Sequence, residues 1–448
     1  MTAPSPSTTD LKRELGLFDA TMINVGTMIA SAIFIVPAAV AAAAPGTAMM
    51  TLVWVIGGIV SLLGALSIAE LAAAYPEAGG QYAYLREAYG PMPAFLYGWA
   101  NFAVINTASI AAIAVGFARY VGFFSHNPFT ELVIRGIAIL SIIGLTILNC
   151  RGVRLGATTQ NVLTTLKMGA LGALILTSFV LPGGSTSHFH PLWPAVTAGQ
   201  WIGPFGVAMV AVLWAYDGWI ETTYIGSEII DPGKNLPRSI ILSTLIVMAL
   251  YVLASVAYTY VLSPGAMVGS QLVASDAAKI TMGGFGASFV VIAILVSTLG
   301  ANNGIVLTAA RIPYAMARAG VFFRAQGLVH SRYGTPTVAL ITQGAIAALL
   351  TALGTYDQLF TYVVFAQFVF YALSAGAVIR LRSKEPQVPR PYRTWGYPLT
   401  PIVFIAFAIW LVFNTIKETP VDSAVGAGII LLGLPGYFYW RRAGGAGR

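Results

Sequence analysis

A lysine, two carboxylates and a pair of asparagines interrupt stretches that are otherwise apolar, and they are the first candidates for chemistry. Lys167 lies in NVLTTLKMGALGAL, Asp217 and Glu221 in VLWAYDGWIETTYIGSE, and Asn302 and Asn303 in STLGANNGIVLTAAR. An ionisable group in an apolar span costs several kcal/mol, so each needs a partner or a task. Lys167 either snorkels from near a helix end or serves as a fixed or titrating cation. Asp217 either satisfies unwound backbone N–H groups or faces a substrate path. Asn302 and Asn303 either bond between helices or line a site. Glu70 and Glu228, near segment ends, read as salt-bridge or gate residues. Trp214, Tyr216 and Trp219 stand mid-segment, away from the interfaces where aromatics anchor, which points to a gate over a ligand.

No catalytic set accompanies these groups. The four histidines, His126, His188, His190 and His330, fall between apolar segments, and no zinc-type His/Glu pattern or paired-Asp motif occurs. A phosphate-cradling Gly-Lys-Ser/Thr loop is also missing, which argues against an ATP-driven pump. The single cysteine, Cys150, excludes an internal disulfide and reads as inert packing. The expectation is a protein that is not an enzyme and holds no cofactor or metal.

A second kind of chemistry needs no side chain. Residues 22–37 read MINVGTMIASAIFIVP, with small and hydroxyl residues (Gly26, Thr27, Ala30, Ser31, Ala32) in the middle of an apolar run. Irregular backbone at membrane depth is tolerated where it lines a cavity. A helix broken here offers free N–H groups from one half to an anion and free carbonyls from the other half to a cation. That pair of ends suits a zwitterion, and the expected role is the substrate site of an amino acid transporter.

The elements that must position these groups are membrane spans. Of 448 residues 57% are hydrophobic and only 9% charged, against roughly 25% charged in soluble domains. Twelve apolar segments can be marked at 15–44, 47–73, 93–124, 131–150, 157–182, 203–230, 238–262, 285–315, 335–354, 358–381, 398–416 and 421–440. The first run is too long for a secretory signal and reads as a retained helix. Nineteen of the 24 Lys and Arg fall on one side; Arg119, Arg135, Lys279 and Lys417 fall on the other, and Lys167 lies inside a span. The positive-inside rule then puts both termini in the cytoplasm of a protein crossing the cell membrane. The net charge of +8 is accounted for by loop ends, so no nucleic acid partner is expected, only the lipid bilayer. Residues 182–200, without Lys or Arg, divide two halves, and the odd segment 212–228 matches the first one in position. Interrupted segments at matching places in two halves are the sequence signature of a transport site.

Several stretches carry a family likeness. GTMIASAIFIVP, PEAGGQYAYLREAYGPMPAFLYGW, WAYDGWIETTYIGSEIIDPGKNLPRSI, GANNGIVLTAARIPYAMARAG with downstream GTPTVAL, and LRSKEPQVPRPYRTWGYP cover nearly the whole chain in order. Together they resemble the amino acid–polyamine–organocation superfamily, closest to its L-type amino acid transporter branch with the bacterial serine/threonine exchangers. The resemblance implies an all-α LeuT-type fold of 12 transmembrane helices. In it a five-plus-five inverted repeat (15–182 and 203–382, helices 1 and 6 broken) is followed by two extra helices (398–440), in one transport domain.

The resemblance also implies roles. Backbone N–H groups of Ser31, Ala32 and Ile33 would bind the substrate carboxylate, and carbonyls of Thr27, Met28, Trp214 and Ala215 the ammonium. Trp214 would be the gate, Asp217 and Asn303 would belong to the substrate site, and Lys167 would stand in place of a sodium ion. Sodium-independent exchange or proton-coupled uptake of neutral L-amino acids follows, with a cationic amino acid or polyamine permease as the alternative. The motif here reads Ala-Ser-Ala at 30–32 where the family normally has Gly-Ser-Gly. The added methyls narrow the pocket and disfavour a large aromatic substrate. Residues 120–130 contain no cysteine, so no disulfide-linked heavy-chain partner is expected.

Overall fold

The computed structural model describes residues 11–44, 46–125, 128–193, 202–354 and 356–445, with the side chains of 202, 356–365 and 443–445 left aside. His126 and residues 194–200 of the loop dividing the two halves lie outside the described residues. In chain order the first helices are α1 (Leu17–Met28), α2 (Ala32–Ala43), α3 (Thr47–Ala74), α4 (Gln81–Tyr89) and α5 (Pro91–Ala100). A π-helical turn, Asn101–Ile105, joins α5 to α6 (Asn106–Val121), followed by α7 (Glu131–Cys150) and α8 (Val153–Val180). Next come α9 (Ile202–Ala215), the single-turn α10 (Glu221–Tyr224), α11 (Pro232–Val261), α12 (Pro264–Val268) and α13 (Val273–Met282). The chain continues with α14 (Gly284–Ala309), α15 (Arg311–Arg318), α16 (Thr337–Leu353) and α17 (Tyr356–Lys384). It ends in α18 (Leu399–Glu418), α19 (Pro420–Leu431) and α20 (Gly433–Gly445).

Among the described residues there is no strand, only the isolated bridges Leu15–Ile229 and Ala78–Ile225. Among the described residues, eight helical runs of 20 to 35 residues are long and apolar enough to cross a bilayer, and the pair α1–α2, bent by 43°, would make a ninth. A helix satisfies its own backbone, which hydrocarbon requires. The molecule is therefore an all-helical polytopic membrane protein. Three helices were not anticipated by the search for long apolar runs. They are α4, which carries Arg86 and Glu87, and the connectors α12 and α13. Their signals were local ones, such as the Ser263 hydroxyl accepting from the Ala266 N–H ahead of Pro264.

The two interrupted segments sit at the centre. α1 packs against α8, α11 and α14, α10 packs against α1, α11 and α14, and α2 packs against α9. Where 203–230 reads as one span, regular helix stops at Ala215 and resumes for a single turn only at Glu221. The segment leading into α1 is tied to the chain after α10: Glu14 and Leu15 donate to the Glu228 carbonyl at 2.9 and 3.1 Å, and Ile230 donates to Leu15 at 2.9 Å. Beside it the fully buried Arg311 forks onto Glu228, with Nε–Oε1 at 2.7 Å and Nη2–Oε2 at 3.0 Å. Glu70 likewise accepts from Arg382 at 2.8 and 2.6 Å and lies 3.4 Å from Arg390. Both carboxylates are thus ion-pair residues, one of the two roles the sequence left open.

Candidate functional site

The first break falls between Met28 and Ala32. Ile29 leaves helical geometry (φ −81, ψ 87), and Ser31 (φ −78, ψ −15) caps α2 with no side-chain hydrogen bond. The Phe34 N–H turns back to the Ser31 carbonyl at 3.1 Å, while the N–H groups of Ser31, Ala32 and Ile33 have no acceptor inside their own helix and carry its positive dipole end. The freed carbonyls on the other side of the break are satisfied from distant elements. Lys167, completely buried, donates to the carbonyls of Gly26 at 2.8 Å, Ile29 at 2.7 Å and Ser297 at 2.7 Å. The Ser297 hydroxyl lies 2.8 Å from the Ile29 carbonyl and 3.0 Å from that of Ala30. Lys167 therefore does not snorkel. An ammonium has three protons, and all three are used on backbone oxygen.

The second break meets the first. Gly218 has φ +112, and a Cβ built there would lie 3.0 Å from the Met28 nitrogen and 3.0 Å from Thr27 Oγ1. Only glycine adopts this backbone without strain and leaves room for α1. The Thr27 hydroxyl approaches the Gly218 carbonyl at 3.1 Å. Tyr251 from α11 reaches the ends of both broken helices, its hydroxyl 2.8 Å from the Met28 carbonyl and 3.2 Å from that of Ala215. Asp217 accepts from Tyr371 Oη at 2.6 Å and Gln367 Nε2 at 2.8 Å. Glu221 accepts a hydrogen bond from Thr308.

Between the breaks lies a small cavity, partly open to the outside. Its walls bring together Thr27, Met28, Ser31, Ala32, Trp214 and Asp217 of the residues expected at the site. Ala30 and Ala32 both line it, so the methyls that distinguish Ala-Ser-Ala from Gly-Ser-Gly border the cavity. Ile33 and Ala215 are buried behind the wall.

Asn303 is placed elsewhere. Its amide donates to the Gly156 carbonyl at 3.1 Å and Gln160 Oε1 at 2.8 Å, and it accepts from Asn149 at 2.9 Å. It fastens α14 to α7 and α8 and does not border the cavity. The aromatic group is divided as well. Trp214 lines the cavity, but Tyr216 is buried against Trp54 and Tyr251, and Trp219 against Tyr371 and Phe404. Of the three, Trp214 is the one on the cavity wall.

Sequence reasoning missed Asn106 and Ser109 of α6 and Gln367 of α17, all on the cavity wall. Asn106 follows the π turn and donates to Asn101 Oδ1 at 3.2 Å. π turns inside α-helices often mark functional positions. The available signal was the polar run Asn101, Asn106, Thr107 and Ser109 inside the third apolar segment.

Comparison with known proteins shows the family. The family model described as amino acid permease matches residues 15–438. The chain belongs to the amino acid permease family. It is similar to the human b(0,+)-type amino acid transporter 1, 33% identical over 97% of this chain and 89% of the relative. It is also similar to the mouse large neutral amino acids transporter small subunit 2, 33% identical over 96% of this chain and 82% of the relative. The resemblance to the L-type branch of the superfamily holds on these matches, and a permease is a transporter and not an enzyme. With its many apolar helices, this amino acid permease is a multi-pass membrane protein.

Proposed function

We propose that the protein moves neutral L-amino acids across the cytoplasmic membrane by alternating access, through sodium-independent exchange or proton-coupled uptake. The observation that carries this reading is the uncapped start of α2 facing the ends of α1 and α9 across one cavity. N–H groups of Ser31, Ala32 and Ile33 take the carboxylate. Carbonyls at Thr27, Met28, Trp214 and Ala215 take the ammonium, and Trp214 closes over the ligand. A carbonyl accepts twice, so that of Ala215, near the Tyr251 hydroxyl, keeps a position for substrate, whereas that of Met28 already has the Ala30 N–H at 3.0 Å and the Tyr251 hydroxyl at 2.8 Å and takes the ammonium in exchange for one of them. Lys167, satisfied by two carbonyls at the first break and that of Ser297 in α14, occupies the place of a coupling cation.

In this reading the architecture is the LeuT-type arrangement of 12 spans with both termini cytoplasmic. Its repeats are 15–182 and 203–382, followed by two spans within 398–440. Packing of α3 on α11, α6 on α14 and α7 on α16 supports the pairing, because each joins corresponding spans of the two halves. The absence of cysteine from residues 120–130 supports function without a disulfide-linked partner.

A second reading, a cationic amino acid or polyamine permease, draws on Asp217 and Glu221, which both line the cavity. The neutral reading is preferred because both carboxylates already accept from neighbouring hydroxyl or amide groups. Proteoliposome uptake with a panel of unlabelled amino acids, with and without internal substrate and a pH gradient, separates the possibilities. Competition by alanine or leucine is expected; competition by arginine or putrescine alone would replace the first reading with the second.

A further inference from the structure

Away from the central cavity, an open groove runs between α17 and α18. Val369, Leu373 and Gly376 form its α17 wall, spaced i, i+4, i+7 and therefore on one helix face. Ile409 and Phe413 on the α18 wall are 59% and 68% exposed, so the groove opens outward, and around a multi-pass membrane protein that means lipid. The α18 wall extends to Ile416 from a residue 11 positions earlier, a rise of about 16 Å. One leaflet of hydrocarbon is about 15 Å deep, half the bilayer core. The groove has the length of one acyl chain.

Its end beside Gly376 is polar. Tyr89 lines the groove there and donates its hydroxyl to the Leu373 carbonyl at 2.9 Å. A Cβ on residue 376 would lie 2.7 Å from that hydroxyl, so the glycine leaves room for it. The guanidinium of Arg380, one turn beyond Gly376 on the same face, lies over the Tyr89 ring at 5.3 Å. Arg380 is exposed, and no carboxylate among the described residues lies within ion-pair distance of it. The 29 residues of α17 rise about 43 Å against about 30 Å of hydrocarbon, leaving roughly 6 Å beyond the core at each end. Arg380 is four residues from the helix end, about 6 Å, which sets it at headgroup level.

We propose that this groove is a binding site for one anionic phospholipid, with an acyl chain along the α17–α18 boundary and the phosphate on Arg380. An apolar channel of one-leaflet length ending at an exposed, unpaired cation is complementary to that amphiphile and not to a free anion. The site lies outside the substrate cavity, and its test uses no substrate, so its outcome is independent of the transport reading.

The full-length protein in detergent is delipidated, titrated with phosphatidylglycerol, phosphatidylcholine or glycerol 3-phosphate, and weighed by native mass spectrometry. One phosphatidylglycerol should be retained at least about five-fold in preference to phosphatidylcholine, the weight of one interfacial basic side chain. Glycerol 3-phosphate should not be retained. Arg380→Gln should abolish the preference, and Ile409→Trp, at an exposed position, should fill the groove and reduce retention of both lipids. An unchanged preference in Arg380→Gln overturns the proposal. So does retention of glycerol 3-phosphate equal to that of phosphatidylglycerol. A lipid-free dimer that Ile409→Trp splits would assign the groove to a second copy of the chain instead.

Discussion

Lys167 binds no carboxylate: its protons go to Gly26, Ile29 and Ser297 carbonyls, two of them at the first break. In the proposed transport reading it acts on substrate through the shape of the break. Lys167→Ala leaves three buried carbonyls without this donor, each worth about 1–3 kcal/mol. Uptake should fall to background and thermal stability should drop while the protein still inserts; wild-type flux would make the lysine a bystander. Ser31 tests the other side of the break. Its φ of −78 already suits proline, so Ser31→Pro removes one N–H with little change of path. A hydrogen bond to a charged group is worth about 1.5–3 kcal/mol, so substrate affinity should fall about ten-fold or more. An unchanged affinity, measured by substrate-dependent thermal shift, would take Ser31 out of the carboxylate site.

Helices that stop mid-membrane need outside partners, and at this scale the sequence was legible in part. The first break could be read from Gly26, Thr27 and the Ala-Ser-Ala run, and the second from Asp217, Gly218 and Glu221. What holds the breaks open could not be read, because Ser297, Tyr251 and Lys167 arrive from spans far along the chain. The partners of Asn303 could not be read for a related reason. An amide in an apolar helix announces a polar partner, but only packing decides whether that partner is a ligand or Gln160 and Asn149. The π turn before Asn106 left no period-based mark, since one extra residue per turn disappears within a uniformly apolar run. Two glycines separate the requirements of a break from those of ordinary helix. Gly218→Ala places a strained methyl against α1 and should cost about 1–3 kcal/mol, with uptake lost. Gly116→Ala, in α6 with nothing within 4 Å of the added carbon, should be neutral or stabilising by up to about 1 kcal/mol. Equal melting shifts for the two would show that the second break does not depend on its glycine.

Across the whole molecule, the parts around the breaks are tied together by polar links. The Arg311–Glu228 pair is fully buried, and the Glu228 carbonyl also receives the chain leading into α1. Arg311→Met strands a buried carboxylate and should cost about 3–5 kcal/mol; adding Glu228→Leu should restore most of that stability. A double variant no more stable than the single one would show that the arginine acts through packing and not charge. The account as a whole rests on bare peptide groups, and not charged side chains, gripping both ends of a small zwitterion. The most direct measurement is competition for proteoliposome uptake of the best neutral amino acid by that amino acid, its methyl ester and its N-acetyl derivative. The free amino acid alone should compete, since each derivative removes one of the two charges that the breaks recognise. An ester or an acetylated form competing as strongly as the parent would contradict the account.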